Sequence, residues 1–187
     1  VGFHEKRSSF IADMKSCEIL PKRVSDLLVP LRELINSLSL RKKLPQIELA
    51  VTDEALALVL RVLEKPTADD EAKLRQFQKD YGVDFWYQPK GPDSIYPMDS
   101  ENAARLKLHH RETGVEVVFR PTDFTQVNHR LNEVMVTRAL RLLHLEPSSK
   151  VIDFFCGLGN FTLPLATRTA KVLGIEGSSE LVERARA

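Results

Sequence analysis

The stretch that decides the fold lies between residues 150 and 176. It consists of Lys150-Val-Ile-Asp-Phe-Phe155, then Cys156-Gly-Leu-Gly-Asn160, then a segment beginning Phe161-Thr-Leu-Pro-Leu165, and finally Lys171-Val-Leu-Gly-Ile175 followed by Glu176. The two apolar runs predict buried strands, and the segment from Phe161 to about Thr169 predicts a short helix. A strand, a glycine-containing loop, a helix and a second strand form the beginning of a doubly wound α/β domain, of which only the first two strands are present.

The loop and the acid after the second strand indicate a ligand that contains adenosine. Gly157 and Gly159 lack Cβ atoms where a strand enters a helix, so a ligand can approach the main-chain N–H groups. Glu176 follows Gly157 by roughly 20 residues, the spacing at which an acid accepts both ribose hydroxyls. Thr162 occupies the place of the third glycine of a dinucleotide site, which favours S-adenosylmethionine over NAD. A tight turn without a ligand and an NAD-linked oxidoreductase are the alternatives.

The residues before this block have a different pattern. Apolar residues at helical spacing predict a helix from Asp26 to Leu38 with Ser25 as its N-cap, and a capping box of Thr67 and Asp70 predicts a second helix ending at Gly82. Five strands are predicted at residues 46–51, 55–62, 83–87, 105–110 and 115–120. We therefore expect an α+β central domain with antiparallel hairpins over residues 1–121. The second domain, residues 122–187, opens with a helix through Leu131 and Leu143.

Composition sets the broad class. The 187 residues are 43% hydrophobic and 28% charged, and 27 basic residues against 26 acidic ones give a net charge of +1. These values exclude a disordered or strongly basic chain. No apolar stretch approaches the length of a membrane span, so we expect no membrane partner. Two distant cysteines do not form a disulfide framework, which fits a cytoplasmic protein.

Both ends of the sequence indicate a piece of a longer protein. The chain begins at Val1 without an initiator methionine and ends at Ala187 inside a helical pattern that has no stop signal. If most of the second sheet is missing, its apolar residues should be exposed, and swapped or paired chains become plausible although the oligomeric state is open. The residues expected to be exposed are Ile152, Phe154, Val172 and Ile175.

Two long blocks carry a family resemblance. Asp153-Phe-Phe-Cys-Gly-Leu-Gly-Asn-Phe-Thr-Leu-Pro-Leu165 and Phe119-Arg-Pro-Thr-Asp-Phe-Thr-Gln-Val-Asn128 closely resemble the bacterial RNA uracil-C5 methyltransferases of the RumA and TrmA type. The resemblance extends to Val1-Gly-Phe3 and Cys17-Glu-Ile-Leu-Pro21. Val127, where the transfer RNA branch has proline, and Cys17 favour the branch that modifies large-subunit ribosomal RNA. The resemblance implies an S-adenosylmethionine-dependent methyltransferase that forms 5-methyluridine in 23S ribosomal RNA. A transfer RNA enzyme and a non-catalytic RNA-binding module with a vestigial cofactor loop are the alternatives.

The resemblance assigns cofactor contacts to Gln126, Phe155, Asn160 and Glu176, besides the loop glycines Gly157 and Gly159. Glu176 suits the ribose hydroxyls, and Asn160 can bond the amino acid part or order the loop. Phe155 offers an apolar wall. The amide of Gln126 both donates and accepts, so it could bridge cofactor and target base.

The resemblance also shows what the sequence lacks. Methylation at C5 of uracil requires a thiolate that adds to C6 and a base that removes the C5 proton. In the family the thiolate belongs to a downstream Ser-Cys-Asn-Pro segment, which is absent here, and Cys156 matches a non-nucleophilic position. We expect no catalytic residue among the 187 and no methyl transfer by this chain alone.

Cys17 matches the fourth ligand of a [4Fe–4S] cluster in the ribosomal RNA branch. The other three thiolates belong to an upstream segment absent from this sequence, so no cluster is expected in this chain. An ordinary core cysteine is the alternative. No zinc site is expected, because no ligand set accompanies the histidines.

Contact with ribosomal RNA is implied by the resemblance and weakly supported by charge. Basic side chains cluster on the last predicted hairpin and beside it, and aromatic side chains could stack on bases, although such residues are usually a solvated face. The basic candidates are Arg105, Lys107, His109, His110, Arg111, Arg120, His129, Arg130 and the run Arg41-Lys42-Lys43; the aromatic ones are Phe85, Trp86 and Tyr87.

Overall fold

The computed structural model describes residues 1–8, 10–101, 103 and 105–186. The chain forms two compact units. The first comprises Val1–Leu49 and Ala57–Ala103, and the second comprises Ala50–Leu56 and Ala104–Ala187. The second unit therefore includes the last hairpin, which the prediction had placed before a boundary at residue 121. The boundary at 121 stays a prediction about the domains.

The first unit is built on a four-stranded sheet with strand order β1-β2-β3-β4. Strand β2 pairs in parallel with β3, and β3 pairs antiparallel with β4. The side chains of Leu58, Leu60, Leu74 and Phe85 are completely enclosed between the sheet and its helices. The elements are α1 (Lys22–Ser25), α2 (Leu28–Ser37), β1 (Gln46–Val51), β2 (Leu56–Arg61), α3 (Ala68–Tyr81), β3 (Asp84–Gln88) and β4 (Tyr96–Pro97).

Helix α3 begins and ends as its sequence predicts. The Thr67 hydroxyl accepts the Asp70 N–H, the Asp70 carboxylate accepts the Thr67 N–H, and Gly82 ends the helix in the left-handed conformation at φ 61°. Asp70 also accepts the N–H and the hydroxyl of Ser39. Burial alone would raise the pKa of Asp70, but the hydrogen bonds from Ser39 and Thr67 outweigh it and hold the pKa below its ordinary value.

The expected α+β arrangement with antiparallel hairpins is confirmed, and two details of this unit differ from the expectation. The helix predicted from Asp26 to Leu38 is present as α2 but begins at Leu28, and Ser25 is not its N-cap, because Ser25 ends the short helix α1 and Asp26 and Leu27 separate the two helices. Pro30 explains the break, because it has no N–H to bond the carbonyl of Asp26. The parallel pairing of β2 and β3 also departs from a unit made of hairpins; α3 connects these strands, as parallel neighbours require.

The second unit contains the predicted hairpin and the predicted strand-loop-helix-strand. Strands β5 (Leu106–His110) and β6 (Val115–Phe119) pair antiparallel, and β7 (Lys150–Phe154) pairs in parallel with β8 (Lys171–Ile175). The helices are α4 (His129–Leu142), α5 (Thr162–Ala166) and α6 (Ser179–Arg186). Helix α5 is shorter than predicted because the hydroxyls of Thr167 and Thr169 bond carbonyls of its last turn.

The small core of this unit covers one face of the β7–β8 pair. Val136 and Leu140 of α4 and Leu165 of α5 form its centre, and Val151 and Val172 pack against them. The opposite face is open, with Ile152, Phe154 and Ile175 exposed by 54%, 62% and 42%. The expected exposure of these three residues is confirmed, whereas that of Val172 was wrong, because alternate side chains of a strand point to opposite faces.

Within the described residues, no helix combines the length and the apolar character that a membrane crossing requires.

Candidate functional site

A cavity of about 220 Å³ lies beside the glycine loop of the second unit. One wall comes from Phe124, Thr125 and Gln126, in the segment before α4, and another from Leu108, Val117 and Phe119 of the hairpin. The remaining wall comes from the end of β7 and the loop after it, and includes Asp153, Phe155, Gly157 and Asn160. The cavity thus has an apolar hairpin wall and a polar loop wall, the usual composition of a small-molecule site.

The loop backbone is sharply bent. Gly157 and Gly159 have φ angles of 55° and 97°, and a Cβ on Gly159 would lie 2.9 Å from Cγ of Leu163. Phe155 adopts the same left-handed region at φ 60° although it has a bulky side chain, and that side chain is 89% exposed. A non-glycine residue in this region is strained, and such strain is concentrated at ligand sites.

Glu176 holds the loop from the end of β8. Its carboxylate accepts the Gly157 N–H at 2.9 Å and the Ser178 N–H at 3.0 Å. These backbone N–H donors, Ser178 first and then Gly157, lower the pKa of Glu176. The carboxylate is therefore ionised at neutral pH, and it joins the first strand-helix turn to the second strand. Its predicted role with ribose stays a prediction.

Asn160 is fixed by a partner that the sequence did not reveal as a site residue. The amides of Asn160 and Asn132 exchange two hydrogen bonds, each 2.9 Å long. Asn132 belongs to α4 and is 3% exposed. A signal was present, because Asn132, Val136 and Leu140 recur every four residues on the buried stripe of α4, where an amide requires a hydrogen-bonding partner.

The segment that carries Gln126 is held by an acid. Asp123 accepts the Arg120 N–H at 2.5 Å and forms a two-point ion pair with the Arg184 guanidinium of α6. The Asp123 hydrogen bond raises the pKa of Arg184. The side chains of Arg184 and Asp123 are only 19% and 10% exposed. This pair therefore anchors the base of the segment, while Phe124 is 89% exposed.

The structure brings together most of the predicted cofactor residues. Gln126, Phe155, Gly157 and Asn160 line the same cavity. Glu176 is not in its wall but bonds to Gly157, and Gly159 packs against Leu163. Phe124, which lines the cavity beside Gln126, was missed. Its position next to Gln126 in the quoted block was the available signal.

Neither cysteine is placed as a nucleophile or as part of a metal centre. Cys156 is half-buried, and a Cβ on Gly174 would lie 2.8 Å from its Sγ. Cys17 is a half-buried free thiol in the first unit, with its N–H bonded to Ser25. A [4Fe–4S] cluster takes four thiolates, so two cysteines do not fit it. No group of three potential ligands exists in the described ranges. The role of Cys17 as a fourth ligand stays a prediction.

The basic side chains of the hairpin do not form a free cationic track. Acidic neighbours within the second unit pair with four of them, and His110 is buried. Phe85 and Tyr87 are also buried in the first unit, so they are core residues and not stacking surfaces. The pairs are Lys107–Glu116 at 2.5 Å, His109–Glu116 at 3.2 Å, Arg111–Asp53 at 3.3 Å and Arg120–Glu180 at 2.6 Å.

Comparisons with known protein sequences find relatives that are uracil-C5 methyltransferases of RNA. A sequence model of the family described as tRNA (Uracil-5-)-methyltransferase matches residues 3–187. The chain is 55% identical over 187 residues to the 23S rRNA (uracil(1939)-C(5))-methyltransferase RlmD of Ralstonia pickettii strain 12J, covering all of this chain and 41% of that protein. It is 56% identical over 190 residues to RlmD of Cupriavidus pinatubonensis, covering 40% of that protein. The chain thus spans about two fifths of the length of the curated relatives it matches.

One solved structure shares the fold. The Pyrococcus abyssi tRNA (uracil-54, C5)-methyltransferase, solved in complex with S-adenosyl-L-homocysteine, superposes with a TM-score of 0.66 at 17% identity. The superposition covers 97% of this chain and 47% of the archaeal one.

Proposed function

The chain belongs to the tRNA (uracil-5-)-methyltransferase family, and we propose that it supplies the S-adenosylmethionine site of an enzyme that methylates C5 of a uracil in 23S ribosomal RNA. The observation that carries the proposal is the cavity beside the glycine loop, where Gln126, Phe155 and Asn160 meet. The relatives named for this reaction are 55–57% identical over the whole chain, which favours ribosomal RNA over the transfer RNA of the archaeal neighbour. Such an enzyme would act in the cytoplasm.

We assign residues 122–187, within the second unit, to the beginning of a Rossmann-like domain. Its parallel strands β7 and β8 are connected through α5, and Glu176 follows β8 directly. In this type of fold the ligand binds outside the carboxyl ends of the strands. Phe155, the glycine loop and Glu176 all lie at that end.

Four residues would hold the cofactor. Glu176 would accept the ribose hydroxyls, since its carboxylate is ionised and retains acceptor capacity beyond its two backbone bonds. Phe155 would provide an apolar wall, and Asn160 would present an amide whose orientation is already fixed. S-adenosylmethionine, when bound, supplies an electrophilic methyl group. Gln126 would orient the reacting groups, because its amide donates and accepts at the cavity wall.

The nucleophile and the base would come from outside these 187 residues. Addition to C6 of uracil requires an accessible thiolate beside the cofactor. Cys156 lines the cavity but is packed tightly against Gly174, and Cys17 lies in the first unit. Because hairpin cations are paired with acids, we propose that RNA contact near the cavity depends on the exposed apolar surface of Phe124 and Val127.

Binding of S-adenosylhomocysteine by this chain tests the cofactor site. Calorimetry should give one site per chain for S-adenosylhomocysteine and no binding of NADH. Glu176→Ala should lose the affinity, while Glu146→Ala, at a position outside the cavity, should keep it. Binding of NADH without S-adenosylhomocysteine would contradict the proposal.

Methyl transfer tests the reaction and the substrate. The complete gene product should convert uridine to 5-methyluridine in unmodified 23S ribosomal RNA, measured by mass spectrometry of nucleosides, and it should leave transfer RNA unchanged. The 187-residue chain alone should transfer no methyl group. Methylation of transfer RNA alone would reverse the substrate assignment, and absence of any methylation would favour a binding module.

A further inference from the structure

We propose that Asn132 of α4 is a positioning residue for the cofactor loop, acting through its paired amide on Asn160. The proposal deepens the proposed function, because it takes the cavity beside the glycine loop as an S-adenosylmethionine site. Asn132 does not line the cavity, whereas Asn160 does. Its effect on a bound ligand must therefore pass through Asn160.

The two amides meet in a cyclic arrangement. Nδ2 of Asn132 donates to Oδ1 of Asn160, and Nδ2 of Asn160 donates to Oδ1 of Asn132, both at 2.9 Å. A single hydrogen bond would let the Asn160 amide rotate about that bond. Two bonds in opposite directions fix both its position and the side on which its oxygen lies. The interaction joins residues 28 positions apart, so it ties the loop to a helix that precedes the whole strand-loop-helix unit.

The position of Asn160 gives this connection its importance. Asn160 directly follows Gly159, whose φ is 97°, and it lies just before α5. A loop with two left-handed glycines has many alternative conformations when it is not held. An amide has two N–H groups and two acceptor lone pairs. The pair with Asn132 uses one of each, so Asn160 keeps one donor and one acceptor in a fixed direction, which His110 and a ligand could share.

His110 of β5 is the one other polar side chain found to interact with Asn160 in the described residues. It is 3% exposed, and its contact with Asn160 opposes the effect of burial on its pKa, although its buried Nε2 forms no hydrogen bond of standard geometry. Burial lowers the pKa of His110, so the ring is neutral at neutral pH. Glu133 of α4 accepts the Arg111 N–H, and Asp153 of β7 accepts the Thr162 hydroxyl. Loss of Asn132 would therefore free the Asn160 amide to turn toward His110 or toward water in the cavity, and its fixed orientation would be lost.

Removal of the pair is the first test. Asn132→Leu has similar size but forms no hydrogen bond, so S-adenosylhomocysteine should bind about 10-fold more weakly, in line with the loss of one or two net hydrogen bonds. Amide hydrogen exchange of residues 157–160 should accelerate in the absence of any ligand. Val136→Ala, one turn further along the same buried stripe, is the matched control. It should lower the melting temperature and leave both readouts within about twofold of the wild-type chain.

A pH-dependent rescue separates positioning from general support of the fold. Asn132→Asp as a carboxylate accepts from Asn160 but cannot donate, whereas the protonated acid restores both bonds. Burial raises the pKa of such a carboxyl. The affinity of this variant relative to the wild-type chain should therefore recover as pH falls from about 8 to about 5.5. The affinity of the wild-type chain, measured at each pH, serves as the reference. It removes any effect of pH on the neighbouring groups His110, Glu133, Asp153 and Glu176.

The outcomes distinguish this proposal from the proposed function. Failure of the wild-type chain to bind S-adenosylhomocysteine would overturn the cofactor assignment, while loop exchange would still decide whether Asn132 holds the loop. If Asn132→Leu binds S-adenosylhomocysteine as tightly as the wild-type chain does, and if its residues 157–160 exchange at the wild-type rate, the positioning role alone is overturned. The positioning role would also be overturned if Asn132→Asp weakened binding by the same factor at every pH. It would be overturned as well if Val136→Ala changed binding and loop exchange as much as Asn132→Leu does.

Discussion

The sheet of the first unit and the strand pair of the second unit have similar apolar sequences but are covered to different extents. In the first, Leu58 and Leu60 of β2 and Phe85 of β3 are enclosed completely. In the second, Val151 and Val172 are covered, while Ile152 and Phe154 are open to solvent. Within this chain both faces of the first sheet are packed and only one face of the β7–β8 pair is, so Leu58 and Leu60 contribute more to its stability than Ile152 and Phe154. Residue type alone does not distinguish covered from open strand positions.

The largest difference should appear when a core residue is shortened in each region. Leu74→Ala, in completely enclosed surroundings, should lower the free energy of unfolding by about 2–5 kcal/mol. Ile152→Ala, on the open face of β7, should change it by less than about 0.5 kcal/mol. Urea denaturation of the two variants measures both effects. Equal losses would show that the open face is covered in solution.

The next largest effect should come from the Arg184–Asp123 ion pair, which holds the segment that carries Phe124, Thr125 and Gln126. Arg184→Gln leaves the Asp123 carboxylate with little exposure and no cation, so the free energy of unfolding should fall by about 2–3 kcal/mol. Arg120→Gln removes a neighbouring pair in which both side chains are 46% exposed, and it should cost below about 1 kcal/mol. Thermal unfolding of both variants gives the comparison. A larger loss for Arg120→Gln would contradict the assigned burial.

The pH response of the glycine loop, Cys156–Asn160, should follow Glu176. Its folded pKa lies below the ordinary value of 4.5, so its stabilising bonds are complete above pH 4.5 and are lost as pH falls through the folded pKa. The protection factor of the Gly157 amide, its exchange rate relative to that of an unstructured amide at the same pH, should therefore fall in that acid range. Glu176→Gln should show low protection at every pH, because a neutral amide oxygen accepts more weakly. A protection factor that does not change with pH in the wild-type chain would show that the two bonds do not hold the loop.

The smallest effects should come from helix caps, one in each unit. Thr67→Ala removes half of the capping box of α3 and should cost about 1 kcal/mol, whereas Asn128→Ala removes a single cap bond of α4 and should cost about 0.5–1 kcal/mol. Chemical denaturation resolves this difference. The reverse order would indicate that α4 depends on its first turn more than on its packing through Val136.

Local signals in the sequence predicted the local structure. The Thr67–Asp70 box, the stop at Gly82 and the glycine loop after β7 are each specified within a few neighbouring residues, and each was confirmed. The parallel partner of β3 could not be predicted, because apolar alternation determines a face and not a neighbour. The break before α2 required attention to the missing N–H of Pro30.

The same limit applies to the candidate site. Gln126, Phe155 and Asn160 could be named from motifs, because they stand in contiguous blocks of sequence. The buried stripe of α4 indicates that Asn132 needs a partner but does not identify Asn160, and nothing local connects Arg184 with Asp123, because only folding brings these partners together. The charge pattern gave only weak support for an RNA surface, and the ion pairs of the hairpin were not visible in it. It did not show that Asp53 and Glu116 neutralise the hairpin from the same unit.

The left-handed backbone of Phe155 has a consequence for engineering this loop. An unstrained turn would use glycine there, and the present residue costs about 1–3 kcal/mol of conformational free energy. Phe155→Gly would therefore make the turn easier to form but would also enlarge the ensemble of the unfolded chain and delete the aromatic wall. Phenylalanine at this position therefore makes the turn less stable and at the same time places an apolar surface beside the loop.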